Sequence, residues 1–175
     1  MIASSHLSKL QKSEDLFTVF NLDTKFQTRN HHLEIKVSDT GRLKSVLRNN
    51  KIAITIPQFN KIEDGEVQGE IRKAIECAWR KEAKEYLPDR VKSLAEKHKF
   101  NYKNVAIKNT KTRWGSSSFE NNINLSLHLM RLPNHLIDYV ILHELVHTKV
   151  KNHSRDFWQL LDVLSGNAKK ISSRG

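Results

Sequence analysis

Seven residues constrain this chain more than any others: Ile141-Leu142-His143-Glu144-Leu145-Val146-His147, an H-E-x-x-H motif in a stretch that is apolar nearly all round. On a helix, side chains four apart stand one above the other, so both imidazoles can reach a single ion at about 2.0–2.1 Å. Glu144 lies about 100° around the axis from His143, which sets its carboxylate beside such an ion as a base for water rather than on it as a ligand. The flanking Val140, Ile141, Leu142, Leu145 and Val146 predict a helix buried in a core. A glutamate and two histidines buried without partners are costly, and a dication among them accounts for all three. The motif arises in roughly 3% of shuffled chains of this composition, so its context has to carry the rest.

A catalytic metal site needs a third protein ligand and an open fourth position. No Glu follows Glu144, and Cys77 is the only cysteine, which rules out both an internal disulfide and a Cys-rich structural zinc site. His153 stands just before Ser154, the predicted cap of a last helix, and a reversal at Lys151-Asn152 can return its ring to the ion. Asp156 and Asp162 rank behind it. The gap to His153 matches the metzincin pattern H-E-x-x-H-x-x-G-x-x-H, but Val150 occupies the glycine position and both methionines, Met1 and Met130, precede the motif. Two plainer readings compete: a pair of satisfied core histidines with a surface glutamate, and a metal held for structure alone.

The 175 residues suffice for one domain, with residues 1–30 set apart as an N-terminal appendage of uncertain structure and 31–175 as the principal domain. Alternation at Leu33, Ile35 and Val37 and again at Ile52, Ile54 and Ile56, around turns at Asp39-Thr40-Gly41 and Asn49-Asn50, predicts a small antiparallel meander. Helical spacing follows from Asp64 to Lys99, with Val67, Ile71, Ala74, Ile75, Ala78 and Trp79 on one stripe and Pro88 dividing two helices. Strands are expected at Val105–Lys108 and Ile123–Met130, a polar turn at Arg113–Ser118 between them, and helices from His135 to about Val150 and from Ser154 to Gly166.

Thirty Lys and Arg against 19 Asp and Glu leave a formal charge of +11, which favours acidic partners, nucleic acid among them. Glu70, Glu76, Glu82 and Glu85 interleave with Arg72, Lys73, Arg80, Lys81, Lys84, Arg90 and Lys92, a pattern of solvated helix faces rather than a phosphate footprint. No apolar run approaches the roughly 18 residues needed to span a bilayer, and the start MIASSHLSKLQKSEDLF lacks the apolar core of a secretory signal. A cytoplasmic protein with no membrane segment is expected. The oligomeric state has no signature here.

The run Arg113-Trp114-Gly115-Ser116-Ser117-Ser118, with Asn122-Ile123-Asn124-Leu125-Ser126, Ile137-Asp138-Tyr139-Val140, the H-E-x-x-H segment, Asn152-His153-Ser154 and Phe157-Trp158, resembles the YgjP-like metal-dependent hydrolases, relatives of the SprT-like and WLM zinc peptidases. The resemblance covers roughly residues 30–165. It implies an α+β zincin-like fold, Zn2+ on His143, His147 and His153, Glu144 as base, and a peptide or protein substrate. Arg113 and Trp114 become candidates for substrate binding, against the plainer reading of a surface arginine and a structural tryptophan. Many relatives carry Cys where this chain has Ser117, which removes any thiol role there. The resemblance also keeps open a DNA-associated protease of SprT-like type, while a non-catalytic, metal-stabilised binding module is the third reading. Asp138, Asn124 and Ser118 are candidates to orient the ligand rings from behind.

Overall fold

The computed structural model describes residues 18–39 and 41–166 and has a mixed α+β architecture with small sheets and helices. The chain divides into two compact units, one over residues 17–82 and the other taking in residues 83 onward.

In the first unit, strands β1 (His32–Ser38), β2 (Lys44–Arg48) and β3 (Lys51–Pro57) form a sheet in the order β1-β3-β2. The antiparallel meander expected from the sequence is corrected: β2 is antiparallel to β3, but β1 runs parallel to it, with Leu33, Ile35 and Val37 opposite Ile52, Ile54 and Ile56. Asn49 and Asn50 both take positive φ (51° and 58°), a conformation that Asn tolerates and that closes a tight β2–β3 hairpin. Of the two edges this hairpin leaves, β1 takes that of β3. Ile52, Ile54 and Ile56 are buried in one cluster with Phe20, Val67, Ile71, Ala74, Ile75 and Ala78. Of the thirty N-terminal residues, 1–17 lie outside the described ones, whereas Phe20 is built into this core, its N–H donating to Gln68 Oε1 (3.0 Å) and its carbonyl accepting from Gln68 Nε2 (2.8 Å).

Helix α1 (Gly65–His98) is continuous for 34 residues with Pro88 inside it, which corrects the expected break. An interior proline costs about 3 kcal/mol in a helix. Here Ala83, Leu87, Val91, Leu94 and Ala95 are buried on both sides of it at helical spacing, so one packed face runs across the proline. Lys84, whose carbonyl loses its partner, is exposed to water.

The second unit holds strands β4 (Val105–Lys108), β5 (Gly115–Ser117) and β6 (Ile123–Ser126) in the order β4-β6-β5, parallel on one side of β6 and antiparallel on the other. Part of the expected polar turn is thus strand β5. The strand expected over Ile123–Met130 ends at Ser126, and Leu127–Arg131 winds as a 3-10 helix. Ser126 causes the change: its Oγ accepts from the His128 N–H (3.2 Å) and donates to the Thr110 carbonyl (2.6 Å), which caps the helix and anchors the corner. Leu127 to Met130 are buried throughout, so alternation there did not mean one wet face. Helix α2 (Asn134–His147) carries the H-E-x-x-H segment, and helix α3 (Arg155–Ser165) ends at Gly166, which takes the left-handed conformation at φ 66°. Arg90 clasps Asp138 of α2 through two hydrogen bonds of 2.6 Å. Among the described residues no helix is long and apolar enough to cross a membrane.

Candidate metal centre

Helix α2 buries Ile137, Ile141, Leu142, Leu145 and Val146, and so turns the edge bearing His143 and His147 toward the segment that returns through His153. The structure brings all three histidines together. His153 Nε2 lies 3.1 Å from His147 Nε2 and 3.2 Å from His143 Nε2, and the three ligand atoms lie within 4.8 Å of one another. Asp156 and Asp162 do not join the group.

These donors fit a metal ion. A tetrahedral ion with metal–nitrogen bonds of about 2.0–2.1 Å sets its ligand nitrogens about 3.3 Å apart, close to the two spacings seen. Burial pushes the His143 ring down to about 3, aided by its neighbours His147 and His153, so it is neutral near pH 7. Burial also lowers His147, whose Nδ1 donates to the Val150 carbonyl (3.1 Å) and thereby leaves the Nε2 lone pair facing inward. Three imidazole nitrogens brought this close together are a donor set that a cation could occupy.

The orienting partner of His147 is therefore the Val150 carbonyl. The three side chains put forward for this task lie elsewhere: Asp138 pairs with Arg90, Asn124 donates to Ser116 Oγ (3.4 Å), and Ser118 Oγ accepts from Asn122 (3.1 Å). Two further features were missed in the sequence. Phe157, fully buried at the start of α3, packs against all three imidazoles at 4.5–4.9 Å between centroids, while Trp158 stacks on His153 at 5.5 Å. The turn from Thr148 to Asn152 contains no glycine and is held instead by Lys151, whose ammonium donates to the Ser118 carbonyl (3.2 Å) and to Asn121 Oδ1 (2.5 Å) in the β5–β6 loop.

Glu144 is only 5% exposed, and burial pushes its carboxyl up to about 8, with the charge of Arg113 as the opposing influence. Its side chain lies against the backbone of Gly115: a Cβ there would stand 2.8 Å from both Cγ and Oε1 of Glu144. Only glycine leaves that room. The adjacent Trp114 is buried; its carbonyl accepts from the Ser126 N–H (2.8 Å), and its indole Nε1 has no hydrogen-bond partner among the described residues. Arg113 is exposed.

Two histidines on a buried helix, a third returning from the segment after it, and a carboxyl group beside them could serve a metal-dependent hydrolase. The family described as "YgjP-like, metallopeptidase domain" matches residues 3–174, and the chain belongs to that family. It is thus a metallopeptidase-family hydrolase that uses a metal ion, with peptide or protein as the substrate class. Among solved structures it is similar to the metallopeptidase zymogen jannalysin of Methanocaldococcus jannaschii, with 31% identity over 43% of this chain and 78% of that one and a TM-score of 0.40. The zymogen of Pyrococcus abyssi abylysin shows 24% identity over 43% of this chain and 75% of that one, with a TM-score of 0.39. No curated protein matches the chain.

Proposed function

We propose that the chain is a zinc-dependent peptidase of zincin type, in which His143, His147 and His153 hold the ion and Glu144 acts as general base. The observation that carries this reading is the convergence of three imidazole Nε2 atoms, with His153 Nε2 at 3.1–3.2 Å from the other two. Three ligands leave a fourth position for solvent, the arrangement of catalytic rather than structural zinc. The chemistry that zinc supplies in such a site is activation of water and polarisation of a carbonyl oxygen.

The protein's own groups do the rest. Glu144 takes a proton from the attacking water and returns it to the departing amine, a task suited to a carboxyl whose burial raises its proton affinity. Its value of about 8 belongs to the metal-free protein, since a nearby dication favours the charged form. Gly115 keeps the carboxyl in place, the Val150 carbonyl orients His147, and Phe157 excludes water behind the rings.

Metal analysis and peptide hydrolysis should be measured together on the wild type, His153→Ala and Glu144→Gln. The wild type is expected to bind one zinc and cut peptides, H153A to lose most of the metal, and E144Q to keep the metal and lose turnover. Full zinc occupancy in H153A, or wild-type hydrolysis by E144Q, would overturn the assignment.

A further inference from the structure

The second sheet presents two chemically different faces. Gly115 and Ser117 pair with the buried Leu125 and Ile123, on the face where Gly115 meets Glu144. Ser116 pairs with Asn124, and Lys108 lies beside Ser126, on the other. A cleft of about 200 Å3 opens here, lined by Lys108, Thr110, Arg113, Ser116, Asn124 and Ser126 together with Gly115 and Leu125 of the first face.

No carboxylate lines this cleft, although two cations do. Two other cations of the same unit are paired with acids, Arg90 with Asp138 and Lys103 with Glu120, while the charge of Arg113 is felt by Glu144. The Ser116 hydroxyl accepts from Asn124 at 3.4 Å and keeps its own proton to donate. An arginine fork, a lysine ammonium and a hydroxyl donor on one concave surface are the chemistry of a carboxylate receptor. The volume falls below the roughly 300–1,000 Å3 of pockets that enclose whole ligands, so the cleft suits one side chain or one chain terminus.

Its location ties it to the reaction. Gly115 belongs to the lining of the cleft and also forms the wall against which Glu144 lies. We infer that the cleft is a subsite for a carboxylate carried by the peptide beside the bond to be cut, held by Lys108 and Arg113. The inference rests on the peptidase reading above, and it makes acidic peptides the preferred substrates. Two sources share this chemistry: an Asp or Glu side chain and a free C-terminus.

The test uses full-length, zinc-loaded protein bearing Glu144→Gln, so that binding is read without cleavage. Alanine hexapeptides with an uncharged fluorophore carry a single Glu at each position in turn, beside Gln twins, and the all-alanine peptide is made as free acid and as amide. Anisotropy is expected to show one Glu position, or the free acid, bound about tenfold more tightly than its neutral twin, as charge-assisted pairing predicts. Preference for the acid over the amide assigns the C-terminus, and preference for an internal Glu assigns a side chain.

Lys108→Gln with Arg113→Gln should erase the preference and leave neutral peptides bound as before. Lys108→Gln alone, which should reduce the preference, keeps the test readable if the double variant fails to fold. Equal binding of acidic and neutral peptides, absence of binding by every peptide, or a preference that survives the double variant overturns the proposal. Failure of the peptidase reading shows separately, as absent zinc or absent hydrolysis in the wild type, because a carboxylate preference does not depend on turnover.

Discussion

Each of the two units buries a glutamate, and the two are handled in opposite ways. Glu82 in the first unit, 1% exposed, accepts through Oε1 from His31 Nδ1 (2.7 Å), from the Asn30 N–H (2.9 Å) and from Thr28 Oγ1 (2.5 Å). Histidine and carboxylate there answer each other, and one loop is stitched to one helix. Glu144 in the second unit has no histidine hydrogen bond among the described residues, while the Nε2 atoms of His143, His147 and His153 converge on one another. Glu82 Oε1 thus holds structure through three donors, although Oε2 is buried without a hydrogen-bond partner among the described residues. Three imidazole nitrogens within 4.8 Å of one another suit a cation instead, the role proposed above.

The contrast is broken most directly by exchanging the consequences of two identical substitutions. Glu144→Gln should lower kcat by about 10²–10⁴, the usual share of general acid–base catalysis, with bound zinc unchanged by metal analysis. Glu82→Gln should do the reverse, costing about 1–3 kcal/mol in urea unfolding because a buried hydrogen-bond acceptor for three donors is weakened, with zinc content unaltered. If E82Q removed the metal, or E144Q unfolded the protein without slowing it, the distinction would collapse.

Gly115→Ala sharpens it next. A methyl group 2.8 Å from Glu144 Cγ must displace the carboxyl, and a misplacement of about 1 Å costs on the order of 10² in rate. Steady-state kinetics should show the loss in kcat, and an unchanged kcat would mean that the carboxyl has room elsewhere. Lys151→Met frees the turn that presents His153 and should weaken zinc about tenfold in a chelator competition, at the low end of what supporting partners contribute to a metal site. Unaltered affinity would show that Phe157 and Trp158 suffice to place the ring.

The smallest effect concerns the surface. Lys36 first and Lys51 second hold Glu34 down at about 2, through hydrogen bonds of 2.7 and 2.8 Å. A depressed carboxyl adds stability that is present above its unfolded value near 4.5 and disappears as pH falls through about 2. Wild type and Glu34→Gln should therefore differ slightly in thermal midpoint at pH 6 and converge toward pH 2, and a gap that widened in acid would contradict the pairing.

The candidate site was legible where it depends on local spacing. His143 and His147 share a face because helical periodicity is a property of consecutive residues, and the flanking apolar residues announced the burial of α2. His153 followed from the absence of any later glutamate and from the nearby helix cap. Val150 was invisible as a partner because its carbonyl, which every residue possesses, does the work. Gly115 stood in a quoted motif, yet a hydrogen in place of a side chain discloses nothing of the carboxyl that will lie against it.

What the residues determined alone were the elements with a repeating signature: the isoleucine strands, the buried H-E-x-x-H helix and its two aligned imidazoles. What tertiary structure decided was pairing between distant segments: β1 parallel to β3, α1 continuous through Pro88, Phe157 against the rings, Lys151 across to the β5–β6 loop. Periodicity is written by neighbours along the chain, whereas these contacts depend on which surfaces remain free once the first elements have packed.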